Sequence, residues 1–203
     1  MCKAIFLGSF NPPHKGHLKC IQSVLESNLI KDLNIQKIHM IPCYHNPNKD
    51  QQIPYWERYQ MTELLFTDLE NKNLVHVDDI EDILRPIYTY DLLEYFHLNQ
   101  DNFIKNDFWW IITYETIKEL IDNKWFKSEY LLRNNKFIVL ITNDFEKNEI
   151  IENVNNTNLK FIKINKIDYH STDLRNKIKN KESIKNETNK DIEDYIKKMK
   201  LYK

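Results

Sequence analysis

The stretch Gly8-Ser9-Phe10-Asn11-Pro12-Pro13-His14-Lys15-Gly16-His17 decides how the rest of the chain is read. The chain has two glycines, and both fall inside these ten residues. Glycine serves where the backbone takes φ > 0 or where another group must come close. Just upstream, Lys3-Ala4-Ile5-Phe6-Leu7 is a short apolar run with the composition of a buried strand. Just downstream, apolar residues at 18, 21 and 25, and again at 20 and 24, keep helical spacing. The stretch therefore reads as a strand, a tight turn and a helix start, with His14 and His17 at the helix opening. Unpaired backbone N–H groups and the positive end of the helix dipole favour an anion there, and two imidazoles add donors. The chemistry this points to is phosphate handling.

Working outward, strand and helix patterns alternate almost throughout. Strands are expected at 35–43, 74–77, 108–112, 136–142 and 159–164. Helices are expected at 55–69, from 88, at 116–122 and 128–133, from 171 and at 190–201. Pro54 suits a first helical position and Thr89 an N-cap. Residues 143–158 are polar, without a clear period, and read as irregular. This alternation predicts an α/β fold: a doubly wound, Rossmann-like parallel sheet with helices on both faces. No repeat or linker divides the 203 residues, so one domain over 1–203 is expected, with the helical segment from about 167 to 203 part of it.

Composition narrows the class. A hydrophobic fraction of 41% supports a real core, and a net charge of −1 lacks the basic excess of a nucleic-acid binder. No apolar run has the length of a membrane span, and the chain starts directly in a strand. The three cysteines, Cys2, Cys20 and Cys43, lack metal-ligand spacing and read as reduced thiols. A cytoplasmic protein is the expectation, acting without nucleic acid or membrane; a homo-oligomer is compatible with the sequence.

A second anion site is offered by His170-Ser171-Thr172-Asp173-Leu174-Arg175. Hydroxyls at a helix start cap it, and Arg175, three residues after Thr172, falls on the same side of the first turn. Taken alone, this is an ordinary N-cap with a surface arginine. The N-terminal stretch, however, resembles the G-x-F-x-P-x-H-x-G-H signature of the nucleotidyltransferase superfamily. That superfamily also carries I-S-S-T-x-x-R after its last strand, which Ser171 to Arg175 match with His170 in place of the first Ser. The chain further resembles the small bacterial type of nicotinate/nicotinamide mononucleotide adenylyltransferase. Asn46-Pro47-Asn48-Lys49 with Arg58 and Met61 is similar to that family's P-H-K segment and downstream R-x-x-M. Tyr88-Thr89-Tyr90-Asp91 is similar to S-Y-T-x-D, with Ile87 for Ser. Residues 110–115, Leu120 and Trp125 are similar to its strand, G-x-D turn and aromatic lid, with Thr113 for Gly and Glu115 for Asp.

The resemblance implies transfer of AMP from ATP to nicotinate mononucleotide, or its amide, with release of pyrophosphate. It implies ATP contacts from Gly8, Ser9, Phe10, His14, Gly16, His17, Ser171, Thr172 and Arg175. Of these, His14, His17 and Arg175 act catalytically, and His17 meets the charge at the reacting α-phosphate. Gly16 would let ATP come close to the helix. Lys49 would reach the phosphate of the mononucleotide. Tyr88, Thr89, Glu115 and Trp125 would bind the rest of it, Trp125 by stacking and Glu115 at the ribose. Mg²⁺ would arrive with ATP, and no residue set of the protein is expected to hold a metal. A phosphopantetheine adenylyltransferase-like enzyme and a nucleotide-binding protein without catalysis stay open. The departure at Thr113-Tyr114-Glu115 favours the second of these; a flat aromatic pocket disfavours the first.

Overall fold

The computed structural model describes residues 2–47, 52–98, 108–154 and 157–203. The first half comprises β1 (Cys2–Gly8), α1 (Lys15–Glu26), α2 (Leu29–Asp32), β2 (Ile35–Pro42), α3 (Tyr55–Asn71), β3 (Val75–Val77), α4 (Ile80–Leu84) and α5 (Thr89–Leu98). The second comprises β4 (Phe108–Thr113), α6 (Tyr114–Ile121), α7 (Ser128–Asn134), β5 (Lys136–Ile141), α8 (Asp144–Asn153), β6 (Leu159–Lys163), α9 (Ser171–Lys179) and α10 (Lys190–Met199). The strands form one sheet in the order β3-β2-β1-β4-β5-β6, every pair parallel.

Successive residues of a strand face opposite sides of a sheet, and a parallel sheet is apolar on both. Ala4 and Phe6 of β1, Trp109 and Ile111 of β4, and Ile138 and Leu140 of β5 enter one core. α1, α3, α9 and α10 cover that face, contributing Ile21, Met61, Leu65, Leu174, Ile192 and Ile196. Their neighbours Ile5, Phe108, Trp110, Ile112, Phe137, Val139 and Ile141 enter the other core, covered by α5 to α8. The helical segment after residue 167 thus contributes to the same core as α1 and α3.

β1 and β4 are adjacent, yet their connections leave toward opposite edges of the sheet. Helices diverging at such a switch point open a crevice at the carboxyl ends of the strands, where ligands bind in folds of this kind.

Three features differ from the expectation. Residues 144–153 form α8 instead of an irregular segment. Asn143 caps it by accepting from Glu146 N–H at 3.0 Å, but Ile150 is its one buried residue, so no apolar stripe marks it in the sequence. α2 and α4, of four and five residues, are too short to show a period. Thr89 is also not a cap. It is the first residue of α5, and the Asp91 carboxylate accepts from Tyr88 N–H at 2.9 Å.

Candidate active site

The loop from Ser9 to His14 leaves β1 with Phe10 in the left-handed region (φ 46°) and with Asn11, Pro12 and Pro13 buried. Two prolines remove two N–H groups, so this loop cannot pair with itself and its carbonyls need donors from elsewhere. Arg58 of α3 donates to Ser9 O at 2.8 Å. Arg175 of α9 donates to Asn11 O at 2.8 Å, and Ser171 to Pro12 O at 2.9 Å. Thr188 donates to Pro13 O at 3.4 Å, and Lys15 N–H to Glu187 O at 2.8 Å. The starts of α1 and α9 are thereby brought to one cleft of about 670 Å³, lined by His14, His17, Ser171, Thr172 and Arg175 among others.

His14 and His17 stack with ring centroids 3.8 Å apart, and the Phe10 ring packs tilted against His17 at 4.9 Å. His17 Nδ1 accepts from His14 N–H at 3.1 Å, which leaves Nε2 to carry the proton. His14 is buried, and its Nδ1 meets no hydrogen-bond partner among the described residues. Burial, with His170 nearby, lowers its pKa to about 4, so the ring is a neutral donor at pH 7.

The glycines act differently from the expectation. Neither has positive φ. A Cβ on Gly8 would lie 3.0 Å from the Phe10 ring, and one on Gly16 would lie 2.8 Å from His14 Nδ1 and from Ile167 Cγ2. Gly16 thus makes room for the His14 ring over the helix start, and it also lines the larger cleft.

A second cavity, about 320 Å³, opens between the ends of β1 and β2 and the starts of α4 and α5. Tyr88, Thr89 and Trp125 line it, with Phe126, Asn46 and Glu81. Glu115 does not. It is exposed in the first turn of α6 and lines the larger cleft, away from the residues it was grouped with. Lys49 lies outside the described residues. Phe126, which the sequence reading passed over, stacks on Tyr88 at 4.5 Å, while Trp125 is tied by its Nε1–H to Glu119 at 2.8 Å. Ser9 lines both cavities. Its Oγ accepts from Asn46 Nδ2 at 3.3 Å, which fixes the second cavity's rim to the phosphate loop.

Glu81 is buried and accepts from Tyr44 N–H. Burial pushes its carboxyl up to about 7, against the lowering effect of Tyr44 N–H and Arg58. A carboxyl whose native pKa exceeds its unfolded value contributes stability fully present below about pH 4.5 and lost as pH rises through about 7. Glu81→Gln keeps an acceptor for Tyr44 and removes a penalty of about 3 kcal/mol above that range. Its melting temperature is expected to exceed that of the unsubstituted chain at pH 8 and to match it at pH 4. Equal differences at both pH values would reject the assignment.

These two cavities, one lined by donors and one by aromatics, open at the carboxyl ends of one six-stranded parallel sheet. The chain belongs to the cytidylyltransferase-like family, which matches residues 5–177. Within it, the similarity runs to one activity. The chain is 31% identical to the "Probable nicotinate-nucleotide adenylyltransferase" of Clostridium acetobutylicum, covering 98% of each protein. It is 34% identical to the protein of that name from Fusobacterium nucleatum, over 96% of each. It also superimposes, with a TM-score of 0.79 at 21% identity, on the Plasmodium falciparum nicotinic acid mononucleotide adenylyltransferase complexed with NaAD, covering 99% of this chain and 97% of that one. This last match shows the shared fold.

Proposed function

We propose that this chain transfers AMP from ATP to nicotinate mononucleotide and releases pyrophosphate, a step of NAD biosynthesis. The observation that carries the reading is the meeting of the two cavities at Ser9. A reaction that joins two phosphates needs its two substrates end to end, and these cavities are arranged so. ATP occupies the cleft between α1 and α9, and the mononucleotide occupies the aromatic cavity.

The attacking oxygen belongs to a phosphate monoester that is already ionised near pH 7. It attacks the α-phosphorus of ATP, a new P–O bond forms, and the bond to the β-phosphate oxygen breaks, leaving with pyrophosphate. No general base is required, so the protein works by alignment and by donors placed where charge develops. His17 serves the α-phosphate through Nε2, and neutral His14 stands beside it. Arg175 already gives one hydrogen to Asn11 O and another to Thr172 Oγ1 at 3.0 Å; its remaining N–H groups serve the pyrophosphate end. The Ser171 hydroxyl proton is engaged on Pro12 O, so Ser171 acts on the triphosphate mainly by holding the loop. Gly8 and Phe10 shape that loop. Glu115 faces the ATP side of the site. Mg²⁺ enters as part of the MgATP substrate, carried on phosphate oxygens and water. The mononucleotide phosphate is assigned to Lys49 on the resemblance of the segment from Asn46 to Lys49 alone.

Tyr88, Thr89 and Trp125 receive the pyridine ring. Aromatic stacking of a flat ring is worth about 1–3 kcal/mol on truncation to alanine. Trp125→Ala is therefore expected to raise KM for the mononucleotide by about tenfold with KM for ATP little changed. An effect confined to ATP would refute the stacking role.

The test of the function is one assay. The purified chain is given MgATP with either the acid or the amide mononucleotide, and pyrophosphate and dinucleotide are followed. Rapid turnover of the acid is expected. Turnover of the amide alone would overturn the choice of substrate, and turnover of neither would overturn the reading.

A further inference from the structure

The loop that carries His14 is held by one group whose place no motif explains. The Tyr202 hydroxyl, next to last in the chain, donates to Asn11 Oδ1 at 2.9 Å, across 191 positions of sequence. Both residues are buried, and Asn11 lines the nucleotide cleft.

The chain is bent to make this contact. α10 ends at Met199, and Leu201 N–H donates back to Ile196 O at 3.1 Å. Lys200 and Tyr202 then both take left-handed backbone, at φ 57° and 61°. Lys200 does so as the cap on which α10 ends, a common helix ending. Tyr202 caps no helix, and non-glycine residues rarely adopt this backbone, so Tyr202 calls for an explanation in what it positions. The phenol is buried, which pushes its pKa above the ordinary tyrosine range and keeps the hydroxyl a donor; Arg58 and Arg175 nearby act the other way, and Glu57 adds to the rise. A tyrosine that served only as apolar filling would not need its oxygen on Asn11. Asn11 stands between Phe10, in left-handed backbone, and Pro12, and its own carbonyl takes Arg175. Holding its side chain as well leaves the segment that delivers His14 with no slack.

We propose that Tyr202 is a positioning residue for the triphosphate of ATP, acting through Asn11 on the loop between β1 and α1. Of the loop from Ser9 to His14 only Ser9 borders the aromatic cavity, and Ser9 is held separately by Arg58, so the mononucleotide is expected to be little affected. The inference rests on the adenylyl-transfer reading in its kinetic arm alone, because binding of MgATP without mononucleotide is read independently of turnover.

Tyr202→Phe keeps the ring and removes the donor. A buried hydrogen bond of this kind contributes on the order of 1 kcal/mol, about fivefold in an equilibrium constant. Calorimetry is expected to show MgATP binding weakened about fivefold to tenfold. Steady-state rates should show kcat/KM for ATP falling in step, and KM for the mononucleotide within about twofold. Asn11→Ala is the companion variant. If Tyr202 acts through Asn11, adding Tyr202→Phe to Asn11→Ala changes MgATP binding no further. Unaltered MgATP binding by Tyr202→Phe, with or without a lowered melting temperature, would overturn the proposal by reducing Tyr202 to filling. Equal losses for both substrates, or full additivity in the double variant, would overturn it as well. Should Tyr202→Phe not fold, the proposal is tested by Asn11→Ala alone, whose binding of MgATP must fall while its KM for the mononucleotide holds.

Discussion

His17→Ala is expected to lower kcat by about 10² to 10³, the loss found when one preorganised donor is taken from a developing negative charge. KM for either substrate should move little, because the donor is needed most when the bond to pyrophosphate breaks. The geometry makes the prediction specific. His17 is held by three contacts: the His14 ring stacked on it, the Phe10 ring tilted against it, and the His14 N–H on Nδ1. That grip fixes the tautomer and aims one proton. His17→Asn offers an amide donor without the two ring contacts and should recover a small part of the rate. The fold should persist in both, since His17 is only half-buried and the core beneath it is built by Phe6, Cys20 and Ile21. Turnover of His17→Ala near that of the unsubstituted chain, measured as pyrophosphate release with saturating substrates, would show that another group carries the charge.

How much of this was open to reading beforehand depends on distance along the chain. The sheet was legible because its four central strands are largely buried on both faces, and such runs stand out between helical periods. α8 was not, since a helix with Ile150 as its one buried residue carries no stripe. The phosphate loop was legible because its chemistry lies within ten consecutive residues. Its supports were not. Arg58 meets Ser9 across 49 positions and Tyr202 meets Asn11 across 191, and local pattern holds no trace of such pairings. The glycines teach the same lesson: both mark tight places, but only the fold shows that Phe10 and His14 fill them. Glu115 was placed beside Trp125 on resemblance; being on α6, after β4, it faces the other cavity.

The second large effect is expected in stability, from Arg58. Arg58 is 1% exposed and, among the described residues, its guanidinium forms no ion pair with a carboxylate. It donates to four main-chain oxygens instead: Ile53 O at 3.2 Å, Ser9 O at 2.8 Å, Cys43 O at 2.7 Å and Tyr44 O at 2.8 Å. Ser9 follows β1, Cys43 and Tyr44 follow β2, and Ile53 precedes α3, so one side chain ties three segments at the rim shared by both cavities. Such charge-assisted bonds are stronger than neutral ones, and they hold carbonyls of half-buried residues. Arg58→Met fills much of the volume but removes the donors of four oxygens, at a cost of about 1 kcal/mol or more for each one left unpaired. Destabilisation of about 3–5 kcal/mol is expected, equivalent to a fall in melting temperature of about 10 °C for a chain of this size. Arg58→Lys brings one ammonium where a planar fork reached four oxygens, so it should restore part of that loss and no more. Glu81 adds a check. Arg58 works against the rise of its carboxyl, so removing the guanidinium should raise the carboxyl further; the loss of stability that begins above about pH 4.5 should then grow and extend to higher pH in Arg58→Met. A melting temperature within about 2 °C of the unsubstituted chain would mean that the rim holds itself without Arg58, and that the union of the two cavities has another source.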